Sequence, residues 1–248
     1  MDATGTQRLN MLAVVLTVAT LVGCGGGVDS ETVETQRLWV GVSFEALGGG
    51  STIVNVDIND GGSSGMNVRL SGNERLEVDA AGFNVVLDED QDFLDTDYEG
   101  RVPTDASNTQ FTLSLFRADG SINRGTRATL PRRFDLISPV NDQAVTVGDR
   151  LLIQWTPSPE GGSIRLDSTA ICSGFSRGEF RNIADSGFFS LDTGAIPGIL
   201  DPQVPRNNPC RFSIRLTRER AGTLDPAFRG GGFVRALQER EAVLSLSF

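Results

Sequence analysis

The feature that most constrains this chain is alternation. From Leu38 onward, apolar side chains recur at every second position: Val40, Val42 and Phe44; Val54, Val56 and Ile58; Leu76 and Val78; Phe83, Val85 and Leu87; Phe111, Leu113 and Leu115. A period of two places such residues on one face of a β-strand, with polar residues on the other. Turn formers stand between the runs: Gly48-Gly49-Gly50, Asn59-Asp60-Gly61-Gly62, Ser71-Gly72-Asn73 and Ala118-Asp119-Gly120. No segment sustains a helical period. Many short antiparallel strands with glycine-rich turns predict an all-β fold of packed sheets, a β-sandwich.

A second unit begins near Leu130-Pro131-Arg132-Arg133, which predicts one sandwich over residues 37–131 and another over 132–248. In the second, Leu151, Ile153 and Trp155 share a face and read as core. Cys210, Phe212, Ile214 and Leu216 do the same. Leu244, Leu246 and Phe248 predict a terminal strand paired within a sheet. Residues 173–208 read as loop-rich. The run Ile137-Ser138-Pro139, the turn Gly148-Asp149 and the strand ending Trp155-Thr156-Pro157 resemble the opening of an immunoglobulin-like module of cell-surface proteins. That resemblance implies an Ig-like sandwich and no particular activity. Leu224-Asp225 with Phe228 and Gly231-Gly232 resembles one copy of a repeat from bacterial surface propellers. A propeller needs several copies, so the segment reads as a loop between strands 211–217 and 233–239.

The N-terminus carries an address. Arg8 precedes an apolar segment from Leu9 to Val22, too short for a membrane span of about 20 residues and suited to a signal peptide. It ends in Leu21-Val22-Gly23-Cys24, which resembles the lipobox of bacterial lipoproteins. The resemblance implies a signal peptide over residues 1–23, cleavage before Cys24, and lipid on the Cys24 sulfur. Multiple acyl chains would anchor the protein stably without spanning the membrane. Gly25 stands where an aspartate would signal inner-membrane retention, so the implied location is the outer membrane. Residues 24–36 then read as the lipidated cysteine and a flexible tether, with a mean reach of about 20 Å. The whole pattern resembles proteobacterial envelope lipoproteins with an immunoglobulin-like C-terminal module.

Composition narrows the chemistry. The net charge of −10 disfavours nucleic acid and anionic surfaces as partners. Every basic residue is arginine. Histidine is absent, which removes Ser-His-Asp and Cys-His catalysis and the usual catalytic zinc sites. Carboxylate-only chemistry survives. With Cys24 assigned to lipid, Cys172 and Cys210 are left as a pair, read as a disulfide in an oxidising compartment or as two buried thiols.

Two candidate sites stand out. Asp88, Asp90, Asp92 and Glu99 fall at the acidic positions of a calcium-binding loop, but Phe93 occupies the position that needs glycine and the flanks read as strands. The segment reads as a solvated acidic loop, and no metal or other cofactor is assigned. Trp39 is out of phase with Val40, Val42 and Phe44, so it faces away from that core, where it could stack on a sugar or fill a partner's pocket, unless the tether or second domain covers it. The functional expectation is a non-enzymatic, lipid-anchored envelope protein, a binding or assembly module for envelope proteins or glycans. The alternative is a carboxylate-dependent hydrolase of envelope polysaccharide.

Overall fold

The computed structural model describes residues 27–91, 96–206 and 209–248. Cys24 and Asp92 lie outside the described residues. The fold is all-β, with sheets packed as sandwiches. The first half supplies β1 (Gly27–Asp29), β2 (Leu38–Ala46), β3 (Thr52–Asp60), β4 (Met66–Arg69), β5 (Arg75–Ala80), β6 (Phe83–Val86), β7 (Asp88–Gln91), β8 (Thr96–Val102), β9 (Gln110–Phe116) and β10 (Ile122–Thr129). The second supplies β11 (Leu136–Ser138), β12 (Ala144–Thr146), β13 (Arg150–Trp155), β14 (Ser163–Cys172), β15 (Phe175–Ala184), β16 (Phe188–Asp192), β17 (Cys210–Ala221) and β18 (Gly231–Ser247).

One eleven-stranded sheet runs through both halves in the order β1-β4-β3-β2-β18-β17-β14-β15, with β8 and β7 attached beyond β3 and β12 beside β18. A four-stranded sheet, β10-β9-β5-β6, covers its first half, and a three-stranded sheet, β11-β13-β16, covers its second. The alternating residues close two cores. Val42, Phe44, Val54 and Val56 meet Leu76, Phe111, Leu113 and Leu115, with Phe44 and Phe111 at 5.0 Å between ring centroids. Leu151, Ile153 and Trp155 meet Leu166, Phe212, Ile214 and Leu244.

The cores divide near the Pro131 boundary, but the C-terminal hairpin joins them. Phe228, Val234 and Ala236 belong to the first core, while Ala242, Leu244 and Leu246, on the same strand, belong to the second. β18 pairs with β2 through its first half and with β17 along most of its length. At the strand rise it is about 55 Å long.

Between the cores the inward face of this hairpin is polar. Arg218 on β17 is buried in an ion pair with Asp185, 2.6 Å from Nε to Oδ2. The Trp155 indole N–H donates to Asp185 Oδ1 at 2.7 Å. Arg218 also donates to the carbonyls of Arg132 and Thr156 and lies 4.6 Å from the Phe134 ring centroid. Arg220 donates to the Leu130 carbonyl, and Gln238 to that of Asp105. The chain crossing from one sandwich to the other therefore has the carbonyls of Leu130 and Arg132 taken up by side chains of β17, as buried polar groups require.

Three expectations need correction. Residues 27–36 are docked, not a free tether. β1 pairs in parallel with β4, Ser30 and Val33 are buried, and Arg117 donates to the carbonyls of both at 2.9 and 2.8 Å. Arg117 is itself paired with buried Glu74, which also accepts from the Ser30 hydroxyl. The polar sequence hid this because the ties are hydrogen bonds and a salt bridge, with Val33 the one apolar side chain buried among them. Second, residues 173–208 hold β15 and β16. β15 lies at the sheet edge with both faces largely exposed, so no apolar alternation marks it. Third, the acidic run is not a loop alone. Asp88–Gln91 forms β7, antiparallel to β8.

Candidate functional site

The outer face of the long sheet carries the candidate site. Its residues are the out-of-phase partners of the core residues, and strand register brings them into rows. Trp39 lies between Asn59 of β3 and Gly231 of β18. Gly41 lies between Asp57 and Phe233, and Ser43 between Asn55 and Arg235.

Trp39 is half-buried and meets Phe233 edge to face, at 5.7 Å and 72°. Such a pair contributes about 0.5–1.5 kcal/mol beyond area burial. Both rings lean on bare backbone. A Cβ at Gly41 would come within 2.9 Å of the indole and 3.0 Å of the Phe233 ring. Phe233 remains 44% exposed, and the Arg235 guanidinium sits 5.1 Å from its centroid. The result is a small aromatic shelf, open to solvent, on a polar bed. Beside it the Asn59 amide donates to Asp57 at 2.8 Å, while its own Oδ1 is buried without a partner.

Arg235 also lines a groove of about 480 Å³ that runs over β2, β18, β17 and β14. Glu45, Arg165, Asp167, Arg215, Thr217 and Glu239 form its walls. Arg165 pairs with Asp167 at 2.8 Å, and Arg215 reaches Glu239 and Glu241 at 3.2 and 3.3 Å. Burial pushes the Glu239 carboxyl up, against the opposing pull of Arg215. Burial pulls the Arg215 guanidinium down, but Glu239 and Glu241 more than offset this and hold it above its ordinary value. At the far side the Arg165 guanidinium lies 4.7 Å from the centroid of Phe180, which is 65% exposed on the edge strand. The groove thus has an aromatic group at each end.

Of the residues read from sequence, Trp39 belongs to this site. Cys172 and Cys210 do not. They form a disulfide joining adjacent strands β14 and β17, Cα to Cα 4.4 Å. Asp88 stands opposite Glu99, and Asp90 opposite Asp97, along the β7–β8 ladder. A ladder spreads carboxylates along a flat edge, whereas a calcium loop wraps its ligands round one point. Among the described residues no group of three or more His, Cys, Asp or Glu side chains is placed to hold a metal ion. Among them, too, no helix is long and apolar enough to cross a membrane. Sequence reading missed Phe233, Arg235, Phe180 and Glu239. The usable signal was phase: Phe233 and Arg235 are out of phase with Val234 and Ala236, as Trp39 is with Val40.

No protein-family model matches the chain, and no curated protein matches it. Among solved structures it is similar to the fibronectin(III)-like modules of Clostridium thermocellum CbhA, at 12% identity and TM-score 0.23, covering 85% of this chain and 94% of that one. It is similar to the titin I-band fragment I67–I69 at 8% identity and TM-score 0.25, covering 84% of this chain and 65% of that one. A third is SGBP-B of the Bacteroides ovatus mixed-linkage glucan utilization locus, in complex with a mixed-linkage heptasaccharide. It shares 12% identity at TM-score 0.21, over 98% of this chain and 71% of that one. At these scores the likenesses carry no argument about what the chain does.

Proposed function

We propose that this chain is a lipid-anchored cell-envelope protein that works without catalysis, as a binding module for an envelope protein or glycan. The observation that carries the reading is the outer face of the long sheet. One unbroken surface, spanning both cores, presents separated aromatic rings among polar side chains over a shallow groove. An exposed ring with hydrogen-bonding groups beside it offers one apolar and one polar contact to the same partner.

The docked N-terminus gives the lipid a mechanical meaning. With acyl chains on Cys24, two residues separate the anchor from β1. Gly27 sits at the end of the sheet where β18 begins, because β1 runs with β4, and β4 and β18 both run with β2. The first sandwich would then rest against the outer membrane, and the second would project away from it along β18.

Photo-cross-linking in living cells from Asn55 and Thr217, with mass spectrometry, tests this. The expected result is a cross-linked envelope component that is lost or redistributed in Cys24→Ala. Hydrolysis of an envelope polysaccharide by the purified chain, abolished by Glu239→Gln, would overturn the non-catalytic part. A Cys24 peptide of unmodified mass would overturn the anchor.

A further inference from the structure

Resting on the binding reading above, we propose that the outer face holds one neutral, extended polysaccharide chain, gripped at both ends. The Trp39–Phe233 shelf takes one end, Phe180 takes the other, and the polar groove runs between them. Three observations select this ligand class.

The first is the distribution of apolar surface. The rings are separated by charged and amide side chains and make no continuous apolar patch. A protein partner's hot spot needs a contiguous, desolvated core. A sugar offers apolar C–H faces bordered by hydroxyls, which suits isolated rings with hydrogen-bonding groups beside them. The second is the polar set itself. Asn55, Asp167, Thr217 and Glu239 provide acceptors, and Arg165, Arg215 and Arg235 provide fixed forks of donors. Both are needed by hydroxyls that donate and accept. The third is charge. The groove mixes both signs, and the chain as a whole carries −10, so an anionic polymer is repelled before it arrives.

Geometry fixes the length. Phe180 shares a row with Asp167, Arg215 and Glu241. From Phe233 to Glu241 is about 26 Å along β18, and from β18 across to β15 is about 14 Å. The two grips are therefore roughly 30 Å apart on the diagonal. A short oligosaccharide reaches one grip, and only a longer one reaches both.

The test uses the full exported chain carrying Cys24→Ala, titrated calorimetrically with neutral β-linked gluco-, xylo- and manno-oligosaccharides of increasing length. A polyuronic acid of matched length is the anionic control. At least one neutral series should bind with affinity that steps up once both grips are spanned. Phe180→Ala should weaken the long ligands about ten-fold and leave the short ones unchanged, while Trp39→Ala weakens both. Phe180 is exposed at the sheet edge, so its variant should keep the parent melting temperature, and Phe180→Tyr should restore binding. Affinity independent of length, no effect of Phe180→Ala on long chains, preference for the polyuronic acid, or no neutral binding at all would each overturn the proposal. In the last case the cross-links from Asn55 and Thr217 separate the two readings. A protein captured there and lost in Trp39→Ala leaves the binding module standing, and no capture removes both.

Discussion

Asp185 shows how a single residue can matter most where the sequence says least. Burial pushes its carboxyl up, but hydrogen bonds from Arg218 and Trp155, with the Arg218 charge, more than offset this and hold it below the ordinary carboxylate range. A depressed carboxylate adds stability above its unfolded pKa and loses it as pH falls through the folded value. Asp185→Asn leaves the Arg218 charge buried without its partner, at a cost of about 3–5 kcal/mol near neutrality. In thermal melts the gap between the parent and Asp185→Asn should be wide at pH 7 and should close as pH falls below about 4. A gap independent of pH would mean that Asp185 acts through packing alone. Tyr98 gives a cleaner readout, because it is the chain's one tyrosine. Burial pushes its hydroxyl up to about 12, while it accepts from the Leu70 N–H and donates to the Val68 carbonyl. Near-ultraviolet absorbance should show no phenolate until about that pH or until the chain unfolds, and ionisation near the ordinary value of about 10 would show the site open. Trp155 was legible as core from its phase. Its partners Asp185 and Arg218 were not, since a charge in a turn or on a strand reads as solvent-facing until the fold brings the two together.

At the scale of elements, the same reading succeeds where strands are one-sided and fails where they are not. β3 and β5 bury largely alternate residues, and β2 and β9 carry their large apolar residues at alternate positions, so the sequence displays that alternation directly. β15 at the edge does not, and neither does the middle of β18, where Gln238, Glu239, Arg240 and Glu241 interrupt the pattern. Those charges look like the end of one strand and the start of another, yet the backbone continues and the interruption is the polar band between cores. The candidate site was half legible for the same reason. Trp39 announces itself by phase in a clear strand, whereas Phe180 sits in a strand with no phase to read. The β14–β17 pair is held both by its ladder and by the Cys172–Cys210 bond at its end. The bond closes a loop of sequence separation 38, which contains β15 and β16. Cys172→Ala with Cys210→Ala should lower stability by about 3–4 kcal/mol in the chain-entropy account. Denaturant titration would show this as a lower midpoint, and an unchanged midpoint would mean that the ladder alone holds the segment.

For the whole molecule, the shared hairpin decides whether two sandwiches mean two independent folding units. The first core takes Phe228, Val234 and Ala236 from the C-terminal end of the chain, and the β2 edge is completed by residues 231–238. Without them β2 would expose an unpaired edge and Phe44 would lose neighbours on one side. Arg218, Arg220 and Gln238 bind carbonyls of residues 105–156 from the same hairpin. The first half is therefore incomplete without the second. A chain ending at Pro131 should lack the sharp unfolding transition of the full protein, despite carrying every strand that the sequence assigns to its sandwich. In the full chain, Ile214→Ala lies wholly in the second core and should cost about 2–5 kcal/mol. Because β18 serves both cores and pairs with β17 along most of its length, it should lower the midpoint reported by Tyr98 in the first core as much as that reported by Trp155 in the second. Separate midpoints from the two probes would show that the sheet is continuous in structure but divided in energy, and would support the two-domain reading that the sequence suggests.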